Sequence, residues 1–270
     1  MPTLTEIPPP DPTAIADALD RVGTAFVDLV RRHPDLNRPV PGLKWTAREL
    51  TAHAVFSTGA FAEIVADKGS PWSLVAWDIT TVNDRTCAEV LARSGTDLAA
   101  ALAEAVAAVR EAVLAADPAS TVAWHDGVPK YPTQVGSIAV IELITHGFEL
   151  ARAFGERWDI KAADVDLLMQ GMTAVLPHFL SDAGRRFTGT YQLRLRGYGT
   201  YTFVFADGSL RVGGTWDGRV DCRISAAPVT YVVLATGRIG PVLPALTGRM
   251  VVYGRKPWLG PRFAQLLRAP

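Results

Sequence analysis

After a proline-rich start that reads as extended (residues 1–10), apolar positions recur at three- and four-residue spacing. Ile15, Leu19, Val22, Phe26 and Val30 form one stripe of a helix. Asp11 supplies its N-cap, Pro12 its first position, and His33-Pro34 its stop. A second stripe, Leu50, Ala54, Phe61 and Ile64, follows Thr46-Ala47-Arg48-Glu49. In that capping box Thr46 and Glu49 satisfy the first orphan amides reciprocally, and the helix runs to about Ala66 with His53 on its apolar face. Beyond a loop holding Trp72 and Trp77, Asn83 or Asp84 can cap a third helix. It continues through Leu98, Leu102, Val106, Val109 and Val113, with a break made possible by Gly95. A loop over 117–132 leads to a fourth amphipathic helix from about Thr133 to Phe154, which Gly155 closes as a left-handed cap. A fifth is predicted over 162–183, kinked or shortened by Pro177.

The period then changes from 3.6 to 2. Tyr191, Leu193 and Leu195 alternate with Gln192, Arg194 and Arg196, and Tyr201, Phe203 and Phe205 with their neighbours, so these are strands. Asp207-Gly208 and Asp217-Gly218 read as hairpin turns bracketing strands at 209–213 and 219–225. Pro228 starts a short helix that Gly237 closes; a strand at 249–254 and a helix from Pro257 finish the chain. The fold class that follows is an N-terminal four-helix bundle, residues 1–184, with a smaller C-terminal α+β domain, residues 185–270.

Length agrees, since 270 residues exceed the usual reach of one core. Apolar residues make up 49% and charged residues 20%, enough for packed cores and against disorder. No run approaches the roughly 18 apolar residues of a membrane helix, and the start lacks a basic and then apolar signal pattern. Two cysteines, Cys87 and Cys222, one in each half, make no disulfide framework, so a cytoplasmic protein without a membrane partner is expected. Net charge is zero but unevenly spread: residues 185–270 hold 13 basic and three acidic side chains, residues 1–184 hold 14 and 24. Either the basic half docks on the acidic half, or some arginines take a carboxylate-bearing substrate. A nucleic-acid partner is not expected, for there is no basic helix or recognised binding motif; a monomer or homodimer is.

Chemistry concentrates in the fourth helix. Glu142 and His146 project from one face a turn apart, within the otherwise apolar stretch VIELITHGFELARAFG. There an unpaired carboxylate is costly and a cation would offset the cost. His53, also facing inward from another helix, is a third candidate ligand. Two imidazoles, one carboxylate and an open position suit catalytic zinc, and such sets also hold ferrous iron. The same spacing serves an ordinary hydrogen-bonded pair, and spacing alone does not decide. His125, in the loop AWHDG, either reaches the site as an acid or base or belongs to a solvent-exposed loop.

The segments VPGLKWTARELTAH and IELITHGFELARAFG resemble the two signature stretches of the mycothiol-dependent maleylpyruvate isomerase family, whose N-terminal part is a DinB-like four-helix bundle. The resemblance implies that His53, Glu142 and His146 bind a divalent metal, zinc first, with ferrous iron or nickel as alternatives. It implies mycothiol or a similar low-molecular-weight thiol as cosubstrate, an electrophilic small molecule as its target, and a transferase or isomerase reaction. Under it, Asn83 and Trp124 are candidates to hold the thiol's sugars, and Arg152 and His125 are candidate catalytic groups. Arg152, Arg219 or Arg223 would suit an acidic substrate. YQLRLRGYGTYTFVFADGSLRV, VTYVVLATGR and LTGRMVVYG resemble the sterol-carrier-like domain that follows the bundle in many members. Two other readings stand beside this one. In the first the protein binds a small apolar ligand or lipid, with Tyr191, Tyr201, Phe203 and Phe205 either lining a tunnel or forming core, and the metal is structural or vestigial. In the second a biosynthetic enzyme uses the same pocket without a thiol.

Overall fold

The computed structural model describes residues 2–74, 76–93 and 97–268, and for 76–78 the backbone alone. The chain divides into two compact units, Pro9–Ile160 and a second formed by Met1–Pro8 with Lys161–Pro270. The division lies upstream of residue 184, where the sequence reading sets its boundary.

The first unit is helical: α1 (Pro12–Arg32), α2 (Ala47–Val65), α3 (Ala76–Ala92), α4 (Leu98–Ala115) and α5 (Pro132–Phe154), with a two-strand ribbon of β1 (Val122–Ala123) and β2 (Pro129–Lys130) before α5. Helices α1, α2, α4 and α5 pack as a bundle, and α3 lies along α2. Local chemistry sets the ends as the sequence implies. Asp11 Oδ1 accepts from Ala14 N at 2.9 Å, Thr46 and Glu49 close their capping box, and Gly155 adopts φ 74°. Ile15, Leu19, Phe26, Leu50, Ile64, Leu102, Leu143 and Ile144 fill the core.

The predicted third helix is instead two. α3 begins well before Asn83 and Asp84, which sit inside it and cap nothing, and α4 starts anew where Asp97 Oδ1 accepts from Ala99 N and Ala100 N at 3.0 and 3.1 Å. The expected break at Gly95 falls outside the described residues, as does the side chain of Trp77.

The second unit carries α6 (Ala162–Met172), a 3-10 turn at Leu176–Phe179, α7 (Asp182–Arg186), β3 (Gly189–Leu195), β4 (Thr200–Ala206), β5 (Ser209–Gly213), β6 (Cys222–Ala226), α8 (Pro228–Ala235), α9 (Val242–Leu246), β7 (Met250–Tyr253) and a closing 3-10 helix, Pro257–Leu266. The five strands run in the order β5-β4-β3-β6-β7, with β3 and β6 parallel and the other neighbours antiparallel. Directly opposed Tyr191 and Phe203 share a face, and Phe263 packs on both with ring centroids at 4.9 Å. Tyr191, Tyr201, Phe203 and Phe205 are all buried. Tyr191 donates to Leu259 O at 2.9 Å and Tyr201 to Asp166 Oδ1 at 2.7 Å, so these aromatics are core.

Three expectations are corrected here, and the shortening expected at Pro177 is observed. The helix over 162–183 breaks at Met172, because Pro177 has no amide to extend it, and restarts where Ser181 Oγ accepts from Gly184 N at 3.0 Å. α6 joins this unit and not the bundle, through Asp166, which also accepts from Gly199 N at 3.0 Å. Asp207-Gly208 does turn β4 into β5, both residues taking positive φ, but Asp217-Gly218 joins no hairpin, because β6 pairs with β3. Asp217 Oδ1 instead accepts from Thr3 N at 2.6 Å, and Thr5 exchanges backbone hydrogen bonds of 2.9 Å with Gly214 and Thr215, so the N-terminal arm belongs to this unit. The last helix is of 3-10 type, with Pro261 inside it.

Candidate metal centre

The sequence places two of the three candidate ligands on one stripe of α5 and the third on the apolar stripe of α2, and packing of α2 on α5 closes the distance. Among the described residues, His53, Glu142 and His146 form a group whose ligand atoms all lie within 4.8 Å of one another. Glu142 Oε2 lies 3.1 Å from His146 Nε2 and 3.6 Å from His53 Nε2. Ligands at about 2.0–2.1 Å around a tetrahedral ion are roughly 3.3–3.4 Å apart. The two separations from Glu142 bracket that value and all three atoms lie within 4.8 Å, so the donor set is a candidate site for a small divalent cation.

Each ring is held from behind. His53 is 3% exposed, its ring sits 4.9 Å from Trp45 and, edge-on, 4.9 Å from His146. Among the described residues its buried Nδ1 has no hydrogen-bond partner. His146 Nδ1 lies 2.7 Å from Glu149 Oε2, a carboxylate that is itself buried. That bond leaves Nε2 directed at Glu142 and fixes the ring's rotation, as carboxylate partners do for metal-bound imidazoles. Gly147 lets α5 approach Trp158: a Cβ there would stand 2.1 Å from Trp158 Cζ2. Glu142 retains 31% of its side-chain surface and forms the open side of the group.

The electrostatics follow from this packing. Burial opposes the charge on His146, but hydrogen bonds and charges from Glu142 and Glu149 outweigh it and push its pKa up to about 9. Burial likewise opposes ionisation of Glu142, yet His146 and His53 hold it below the usual carboxylate range. For His53 burial wins and its pKa is lowered. Without metal, the resting state is thus one imidazolium clamped between two carboxylates beside a neutral imidazole. A cation bound there would replace a single proton.

The remaining candidates have different surroundings. His125 is buried, not in an open loop: its ring stacks on Trp124 at 3.9 Å, its Nδ1 lies 2.8 Å from Ser70 Oγ, and burial pushes its pKa down to about 4. Trp124 is buried against it. Asn83 Oδ1 accepts from Trp72 Nε1 at 2.8 Å, and Trp72 in turn packs on His125. Arg152, in the last turn of α5, stands 5.9 Å over the ring of Phe148. In the second unit, Arg223 Nε donates to Gln192 Oε1 at 3.3 Å and Arg219 is exposed. Trp45 also borders a cleft of about 310 Å³ with Lys44, Glu49, Asp84, Cys87, Ala88 and Leu91. Burial pushes the Cys87 thiol up to about 11, and Sγ donates to Glu49 O at 3.3 Å, so it offers no thiolate at neutral pH. Sequence reasoning missed Glu149, Trp45 and Ser70. Glu149 alone left a signal: a carboxylate three residues past His146 in an apolar stretch.

Residues 16–151 match the family described as the mycothiol maleylpyruvate isomerase N-terminal domain, and residues 177–267 match the SCP-2 sterol transfer family. Among solved structures, the chain is similar to a mycothiol-dependent maleylpyruvate isomerase, 11% identical with a TM-score of 0.56, over 86% of this chain and 91% of that one. It is similar also to a histidine-to-alanine variant of such an isomerase, 10% identical with a TM-score of 0.56, over 90% and 92%. At these identities the likeness is one of fold. A search of curated proteins finds no significant match.

Proposed function

The chain belongs to the mycothiol maleylpyruvate isomerase N-terminal domain family, and on that premise we propose that it is a metal-dependent, thiol-using transferase or isomerase. In this reading His53, Glu142 and His146 hold zinc, the thiol is mycothiol or a close low-molecular-weight analogue, and the second reactant is an electrophilic small molecule. The observation that carries the reading is the convergence of the three ligand atoms on α2 and α5, with Glu149 behind His146. Zinc so bound would favour thiolate over thiol at neutral pH and keep a position open for sulfur.

The chain's own residues do the rest. His53 and, once its proton is displaced, His146 present neutral nitrogens, while Glu142 brings one negative charge, so the set leaves a divalent ion with net positive charge toward an incoming anion. Glu149 keeps His146 Nε2 aimed inward. His125, neutral at pH 7 with Nδ1 engaged by Ser70, has Nε2 as the atom that can take up or return a proton. Whether the added thiol stays, giving transfer, or is expelled after a double bond shifts, giving isomerisation, is set by the electrophile. Fold does not choose it.

The test is to titrate mycothiol into cobalt-substituted protein. A new sulfur-to-cobalt charge-transfer band that saturates at one equivalent supports the reading, and its absence overturns the thiol step. In parallel, His53→Ala should abolish stoichiometric metal, and full occupancy in that variant would remove His53 from the ligand set.

A further inference from the structure

His125 is held in place by a loop that contributes no metal ligand. Three hydrogen-bonding contacts stitch residues 67–74, which follow α2, onto the ribbon before α5. Asp67 Oδ1 accepts from Ala123 N at 3.1 Å, Ser70 Oγ lies 2.8 Å from His125 Nδ1, and Asp126 Oδ2 accepts from Leu74 N at 2.7 Å. Asp67 and Asp126 take φ of 56° and 53°, a left-handed conformation that a non-glycine residue keeps only where its surroundings hold it. Trp72 braces the loop: its ring packs on His125, Phe56 and Phe61 with centroids at 5.4, 5.5 and 5.3 Å, and its Nε1 donates to Asn83 Oδ1 at 2.8 Å. Nδ1 carries the ring's one hydrogen bond among the described residues. The Glu142 carboxylate is near enough for its charge to act on the ring.

Which ring nitrogen holds the hydrogen decides what His125 can do. Ser70 Oγ accepts from Trp72 N at 3.1 Å and has a single hydrogen to give, with two acceptors in reach: Nδ1 and, at 3.2 Å, the Trp72 carbonyl. If the hydroxyl donates to Nδ1, the ring's own hydrogen sits on Nε2 and the carbonyl loses this donor. If it donates to the carbonyl, Nδ1–H donates to Oγ and both contacts are hydrogen bonds. The second arrangement makes one bond more. It is also the one suited to proton traffic. With hydrogen on Nδ1, Nε2 has a lone pair that takes a proton from a reactant, giving an imidazolium, and returns it later, while Nδ1–H stays on Ser70 throughout. With hydrogen on Nε2 there is no lone pair on that side, and giving the hydrogen up would leave an imidazolate. We propose that Ser70 is a positioning residue that, anchored on the Trp72 carbonyl, holds His125 in the Nδ1–H tautomer and so keeps Nε2 free to accept a proton. The inference rests on the role proposed for His125 and deepens it, but the tautomer itself depends on neither metal nor thiol.

The test is the long-range proton–nitrogen NMR spectrum of the full-length protein, isotopically labelled at the histidine nitrogens, in which protonated and bare ring nitrogens resonate far apart. His125→Gln identifies the His125 signals by their loss. Burial pushes the pKa of His125 down to about 4, so at neutral pH its ring is uncharged and the ratio of tautomers is read directly. The expected result is an excess of the Nδ1–H form of at least about fivefold, the worth of one hydrogen bond. Ser70→Ala should lower that ratio by at least about fivefold, and Ser70→Thr, which keeps a hydroxyl, should preserve it. A majority of Nε2–H in the parent protein, an unchanged ratio in Ser70→Ala, or the alanine ratio in Ser70→Thr would each overturn the proposal. The parent spectrum bears on it even where a variant fails to fold. Absence of the sulfur-to-cobalt band would remove the thiol reading and leave this ratio unmoved, so the two failures are told apart.

Discussion

Lowering the pH from 8 to 6 should weaken nickel binding to the metal-free protein by roughly a hundredfold. The reasoning starts from His146, whose pKa Glu142 and Glu149 push up to about 9 against the cost of burial. Only the neutral ring can bind metal. With a pKa near 9 the neutral fraction is about one tenth at pH 8 and about one thousandth at pH 6, a ratio near 90, or about 2.7 kcal/mol. Glu142, held below the usual carboxylate range, and His53, lowered by burial, both favour their binding-competent forms, so His146 dominates the slope. The sign is fixed: the proton competes with the metal, so affinity falls as pH falls. An imidazole with an ordinary pKa of about 6.5 would lose only about fourfold over the same interval. Nickel is the probe because its bound waters stay protonated in this range, and competition against a chromophoric chelator gives the constant at each pH. A loss of fourfold or less would refute the clamped imidazolium, and with it the role given to Glu149.

Two further outcomes follow from the same packing. Glu149→Gln loosens the His146 ring, which weakens nickel binding, and removes one of the two carboxylates that hold its proton, which offsets part of that loss near pH 8; nickel should therefore bind with a shallower pH dependence than in the parent protein, and an unchanged slope would place Glu149 outside the site. Gly147→Ala sets a Cβ 2.1 Å from Trp158 Cζ2, where Trp158 also packs edge-on against Phe26. Overpacking of this kind costs about 1–3 kcal/mol and should lower the melting temperature by roughly 3–10 °C, and a melting curve matching the parent's would show that the helix can shift without cost.

Much of this was legible in the residues because the signals are local. The Thr46–Glu49 box, the left-handed Gly155 and the change of period near 190 each act within a few positions of the chain. Glu142 and His146 were readable for the same reason, since four residues on a helix make a turn. His53 came into reach only through the packing of α2 on α5, which no spacing encodes. The errors have the opposite cause. Asn83 and Asp84 looked like caps, but α3 already runs through them and Asn83 serves Trp72. Asp217-Gly218 has the right residues for a hairpin, yet β6 pairs in parallel with β3 and the N-terminal arm takes Asp217. Glu149 has no sequence cue beyond its place three residues past His146, and only its burial against His146 Nδ1 shows its part.

The central claim, one cation on His53, Glu142 and His146 with room for sulfur, is tested most directly by the X-ray absorption spectrum of the zinc-loaded protein before and after addition of mycothiol. The account predicts a shell of nitrogen and oxygen alone at about 2.0–2.1 Å without the thiol, joined by one sulfur at about 2.3 Å when it is added. A sulfur neighbour already present without thiol, or none after saturation with it, would contradict the account.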